Sequence, residues 1–131
     1  CDRMSITPDG RLLYIPSFEK ELWNVVDARN GDVLASVVTD SGAHNTVCSL
    51  DGRRMFLAGL RSPLLAVADT QTHEVVAQVG PFSAPVRPFT VDGAGTRCYV
   101  CVNDLLGFEI GDLQTGRVAA GTMQAQAKRG A

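Results

Sequence analysis

Apolar residues in this chain come in short runs broken by turn residues. "RLLYIP", "ELWNVVD" and "DVLASVV" are rich in β-branched and aromatic side chains, and Pro8-Asp9-Gly10, the stretch from Ser17 to Lys20, and Arg29-Asn30-Gly31 separate them. Runs of this length between such breakers read as strands joined by tight turns. No window of eleven or more residues carries a helical stripe.

The same succession occurs three times: "ITPDGRLLYIPSFEKELWNVVDARNGDVLASV", "CSLDGRRMFLAGLRSPLLAVADTQTHEVVAQV" and "VDGAGTRCYVCVNDLLGFEIGDLQTGRVAAGT". A glycine ahead of the central strand stands at Gly10, Gly52 and Gly95, at intervals of 42 and 43. An aromatic follows each glycine by four residues (Tyr14, Phe56, Tyr99), and an aspartate follows each aromatic by thirteen (Asp27, Asp69, Asp112). Both spacings are invariant in the three copies, while the interval from aspartate to next glycine varies from 25 to 26. A fixed motif with a variable linker is the mark of a repeated structural unit. With a further strand before each glycine ("DRMSIT", "NTVCSL", "RPFTV"), every unit holds four strands. Four short strands recurring every ~40–45 residues describe a propeller blade. The expected fold is therefore all-β, a β-propeller segment of three four-stranded antiparallel blades at residues 1–43, 44–85 and 86–131.

The motifs "SITPDGRLLYIP…VVDARNGDVLASV" and "RPFTVDGAGTRCYVCVND…IGDLQTGRV" resemble those of the YVTN-repeat β-propellers, and the resemblance covers all three repeats. The Tyr-Val-Thr-Asn strand itself is replaced here by Tyr99-Val100-Cys101-Val102, by Tyr14-Ile15-Pro16-Ser17 and by Phe56-Leu57-Ala58-Gly59. The resemblance is specific to the repeat type and implies a periplasmic or extracellular location without implying a chemistry. Related propellers include lactonases.

Propellers usually close with four to eight blades, and three are too few. Joining Ala131 of one copy to Cys1 of another gives a glycine interval of 46, close to 42 and 43, so the chain ends in register for another blade. The expectation is an excerpt of a longer propeller with further blades in cis, or else two copies joined head to tail into six.

Composition narrows the partners. Twelve Lys and Arg against fourteen Asp and Glu give a formal charge of −2, with the basic residues scattered, so neither nucleic acid nor an anionic membrane surface is an expected partner. The longest apolar runs are far too short for a membrane span. No phosphate-binding, dinucleotide-binding or Gly-x-Ser-x-Gly fingerprint is present. The expected partner is thus a small-molecule ligand or another protein, with no cofactor and no metal.

Comparison among repeats sorts the candidate residues. Cys98 and Cys101 have the spacing of a metal or redox pair, but Cys98 matches Leu13 and Met55, Cys101 matches Pro16 and Ala58, and Cys48 matches Ile6 and Val91. These are apolar slots, where a free cysteine acts as a small hydrophobe. Residues three apart on a strand point to opposite faces, so the two sulfurs are expected to be separated. Asp27, Asp69 and Asp112 each lead a turn and are expected to accept backbone N–H bonds there. His73 takes the turn position of Gly31 and Gly116, where φ is expected to be positive, so its replacement by glycine is expected to be neutral or stabilising. Trp23 matches Leu65 and Phe108 and is read as packing between blades, whereas Asn24 and Glu109 share a position with Ala66 and could face solvent.

The residues that point to function lie elsewhere. His44 stands eight before Gly52, and the matching positions are Asp2 and Arg87. The innermost strand of a blade lines the central channel, so Asp2, His44 and Arg87 would form an arc of polar groups at its rim. The resemblance adds that a Pro-His-Gly-like sequence commonly stands at this place. Arg61, Asn103 and Asp104 lie in the loops that differ most among blades and are secondary candidates for contact with a ligand. The expected function is a non-catalytic binding scaffold. Its alternatives are a lactonase-like or metal-assisted hydrolase using the channel residues, and an adhesive surface repeat.

Overall fold

The computed structural model describes residues 3–102 and 107–119. They form twelve strands in three sheets. The first sheet contains β1 (Ser5–Ile6), β2 (Leu12–Ser17), β3 (Leu22–Asp27) and β4 (Val33–Val38) in that order. The second contains β5 (Ala43–Cys48), β6 (Arg54–Gly59), β7 (Leu65–Asp69) and β8 (Val75–Val79), and the third β9 (Val86–Val91), β10 (Arg97–Val102), β11 (Glu109–Asp112) and β12 (Val118–Ala119). Every pairing is antiparallel and sequential. No described residue is helical, so the chain is all-β, in three four-stranded blades.

Aspartates build the turns. In the turn after β1, Thr7 Oγ1 donates to Asp9 Oδ1 at 2.6 Å and the Arg11 amide to the same oxygen at 3.0 Å, while Gly10 adopts φ +76°. Ser49, Asp51 and Gly52 repeat this after β5. After β9, Asp92 reverses the pattern and accepts from the Thr96 hydroxyl and amide. Asp27, Asp69 and Asp112 accept from backbone amides two residues on at 2.9, 2.7 and 2.8 Å, so the expected turn role holds in all three blades. These bonds favour the charged form: the Arg29 side chain first, then its amide, lowers the pKa of Asp27, and backbone N–H groups lower those of Asp69 and Asp112.

The period-two alternation of the central blade divides its side chains between two cores. Met55, Leu57, Ala66 and Ala68 face the first blade and pack with Tyr14, Trp23, Val25 and Val37. Phe56, Ala58, Leu65 and Val67 face the third and pack with Val79, Val86, Cys98 and Val100. A strand in the middle of such a stack is buried on both faces and loses its polar alternation. Each large apolar side chain buried here contributes about 1.5–3 kcal/mol. Trp23 is fully buried in the first of these cores, as its place in the repeat predicts, and its Nε1 donates to Thr46 Oγ1 of the second blade at 2.7 Å.

Three expectations need correction or completion. Cys98 is buried against the second blade, but Cys101 is exposed on the opposite face, so only one of the pair fills a buried slot. Cys101 matches buried Pro16 and Ala58, whose cover comes from the following blade. Glu109 is buried, not solvent-facing: its Oε1 accepts from the Ser83 amide at 2.9 Å and the Ser83 hydroxyl at 2.7 Å, pinning the segment between β8 and β9. His73 has the expected positive φ, at 60°, but its Nδ1 lies 2.7 Å from Tyr14 Oη of the first blade. It therefore carries a tertiary bond that glycine would delete.

Candidate functional site

His44 and Arg87 occupy equivalent irregularities in the two inner strands. In the second blade Ala43 pairs with Gly59 and Asn45 with Ala58, which leaves His44 as the extra residue of a bulge. In the third, Val86 pairs with Val102 and Phe89 with Val100, so β9 carries one residue too many in the stretch that contains Arg87. Ala43 and Val86 both stand nine before their motif glycine, so the bulge recurs at one place in the repeat. A bulge re-aims the side chain it contains and interrupts pairing at a sheet edge, which is why bulges collect near binding sites. Both side chains are half-buried. Asp2, the third member of the expected arc, lies outside the described residues, as do Asn103 and Asp104.

Next to His44, Asn45 is 4% exposed and its side-chain Nδ2 has no hydrogen-bond partner among the described residues. It points to the same side of β5 as Val47, which packs on the core shared with the third blade. A buried amide donor left open costs about 1–3 kcal/mol and is the kind of group a ligand or an ordered water satisfies. The sequence gives no sign of it, because the matching residue of the third blade is Pro88.

Arg61 lies at the same end of the sheets as His44, two residues beyond the strand that pairs with Ala43. Its guanidinium bridges to Glu21 Oε1 at 2.9 Å and stacks 4.6 Å over the Phe18 ring, both from the first blade. Its amide donates to the Ser41 carbonyl at 2.9 Å. Arg61 is thus a clamp between the first two blades, spanning the crossover at residues 39–42. With its charge partly exposed, the ion pair is worth no more than about 1 kcal/mol. Gly42 under the clamp has φ +72°, and a Cβ there would come within 3.1 Å of Arg61 Nε. Gly59 is more constrained, since a Cβ would collide with the Ser41 carbonyl.

The opposite end, where the aspartate turns lie, carries a cleft at each blade junction. One of about 530 Å³ between the second and third blades has Phe56 and Val67 on its floor and Leu50, Arg54 and Gln114 at its lips. Another of about 460 Å³ between the first and second is lined by Pro8, Asp9, Arg11, Asp51 and Gln71. Among the described residues no group of three or more His, Cys, Asp and Glu could hold a metal ion. No described helix is long and apolar enough to cross a membrane.

Neither a family model nor a curated relative matches the chain by sequence. By structure, 550 solved chains match it. One is Kuenenia stuttgartiensis hydrazine synthase, at TM-score 0.79 and 18% identity over 89% of this chain and 34% of that one. The chain is a β-propeller segment. It spans about a third of the hydrazine synthase chain, and at 18% identity the likeness fixes the fold and no more.

Proposed function

We propose that this chain is a YVTN-like propeller segment that serves as a non-catalytic binding scaffold in the periplasm or outside the cell, holding its ligand at the rim of the inner strands through His44 and Arg87. The observation that carries the reading is the bulge at one position in two successive inner strands, each presenting a strongly polar side chain where the rest of the strand is committed to pairing. Asp2, which matches the same position, belongs to the proposed arc through the repeat spacing. A histidine and an arginine at equivalent positions of neighbouring blades suit an anionic group, which both can hold by charge-assisted hydrogen bonds. The proposed ligand is therefore a small acid or an acidic segment of another protein. The lateral faces of the arc take up further blades.

The imidazole resonances of His44, followed by NMR during titration with acetate and then with inorganic phosphate, test this. Shifts at His44 that disappear in Arg87→Ala would support the rim site. Resonances that stay fixed, or that move equally with and without Arg87, would remove it.

A further inference from the structure

The two blade junctions differ in one coupled detail. At the first, the motif aromatic is Tyr14, and the turn of the next blade offers His73, whose Nδ1 meets the phenol oxygen at 2.7 Å. At the second, the motif aromatic is Phe56, with no hydroxyl, and the matching turn residue is Gly116, with no side chain. Phe56 lines the cleft beside Leu113 and Gln114 of that turn. Gly116 has φ +79°, and a Cβ on it would come within 3.0 Å of the Gln78 carbonyl, so the second junction leaves little room for a histidine. A buried phenol needs a hydrogen-bond partner and a buried phenyl does not. The aromatic of one blade and the turn residue of the next are therefore matched.

The third blade presents the next aromatic, Tyr99, on its outer face. Cys98, Val100 and Val102 of β10 turn toward the second blade, so Tyr99 and Cys101 turn away from it; Cys101 is exposed, and Tyr99 is half-buried edge-on to Phe108 at 5.9 Å. Tyr14 and Phe56, at the same position, are fully covered by a following blade. Resting on the reading that this face takes up a further blade, we propose that its occupant is a blade whose turn carries a histidine or similar hydrogen-bonding side chain at the position of His73, and not the first blade of a second copy, which has Gly31 there. Tyr99 docked against Gly31 would bury its hydroxyl without a partner. The matching rule selects which blade may follow which.

Sedimentation velocity of the chain over a range of concentrations tests this, with thiol labelling of Cys101 as the reporter of the covered face. Gly31→His would give a second copy the partner Tyr99 lacks, and at Gly31 a Cβ meets nothing within 4 Å. Tyr99→Phe would remove the need for one, as Phe56 does. Each single variant is expected to self-associate about tenfold more tightly than the wild type, the worth of one hydrogen bond, with Cys101 protected in the associated form. The double variant is expected to fall back toward the wild type. Wild type and all variants associating equally, with Cys101 protected, would overturn the matching rule while leaving the docking face standing. No association in any of them would overturn the docking face and the rule with it.

Discussion

The hydroxyl of Tyr14, fully buried in the first blade, lies 2.7 Å from Nδ1 of His73 in a turn of the second. Burial first, and then the Asp69 carboxylate, raise the pKa of the phenol, so it keeps its proton, and the direction of the bond it shares with the ring nitrogen follows the imidazole tautomer. His73→Gly should relieve about 1 kcal/mol of left-handed backbone strain and lose about 1–3 kcal/mol by orphaning the phenol. The net expectation is destabilisation, visible as a lower urea midpoint. Adding Tyr14→Phe should restore most of it by recreating the Phe56 and Gly116 combination; a double variant no more stable than His73→Gly would show that the ring contributes by packing alone.

The same histidine gives the fold a dependence on pH. Burial lowers the pKa of His73 and the Asp69 carboxylate opposes it, with burial the larger effect. In the unfolded chain the ring takes up its proton near pH ~6.5, so below that value the unfolded state binds the proton more readily than the folded one. The contribution is complete above pH ~6.5 and is lost as the pH falls through the folded value. Between pH 7.5 and pH 5 the urea midpoint should therefore drop more in the wild type than in His73→Asn, since asparagine tolerates the turn conformation without titrating. Parallel drops in the two proteins would assign the acid sensitivity to other groups.

Much of this architecture was legible in the sequence because it is repeated. Comparing Tyr14, Phe56 and Tyr99, or Asp27, Asp69 and Asp112, cancels local noise and leaves the positions the fold requires. What escaped was whatever depends on a neighbour in space. Cys101 has the same slot as Ala58 yet is exposed, because burial of that slot is conferred by the next blade. The strand "DVLASVV" is as apolar in sequence as the buried strands before it, but β4 is an outermost strand, and Val33 and Val38 are 63% and 60% exposed. At the candidate site the equivalence of His44 and Arg87 was visible as spacing, whereas the bulge and the open amide of Asn45 arise from register, which residue types do not encode.

The cysteines should separate by location. Burial raises the thiol pKa of Cys98 to about 11 and that of half-buried Cys48 to about 11, so neither forms an appreciable thiolate at neutral pH. Among the three described cysteines, exposed Cys101 should react first with iodoacetamide in the native protein, and Cys98 only on unfolding. Peptide mass mapping after a short pulse would read the order, and early labelling of Cys98 would contradict its place between the second and third blades.

Gly111 is the position where one added methyl should cost most. It is in register with Cys98 across β10 and β11, and a Cβ there would come within 2.5 Å of the Cys98 sulfur, 2.8 Å of Val79 Cγ1 and 3.1 Å of the Phe82 ring. The matching pairs are Leu13 with Val26 and Met55 with Ala68, so the third blade departs from the others by giving its partner no side chain. Val79 and Phe82 come from the end of the second blade and the crossover after it, and they occupy the volume a side chain would take. Overpacking of this kind costs about 1–3 kcal/mol, and the contacts approach from three sides, which places Gly111→Ala at the upper end. A thermal melt should show that variant well below the wild type, whereas Ala68→Gly, which deletes a buried methyl at the matching site, should also destabilise. Opposite substitutions failing in opposite blades would establish that the two junctions are packed to different depths; a neutral Gly111→Ala would mean that the crossover at 80–85 yields and that the second junction is looser than its contacts imply.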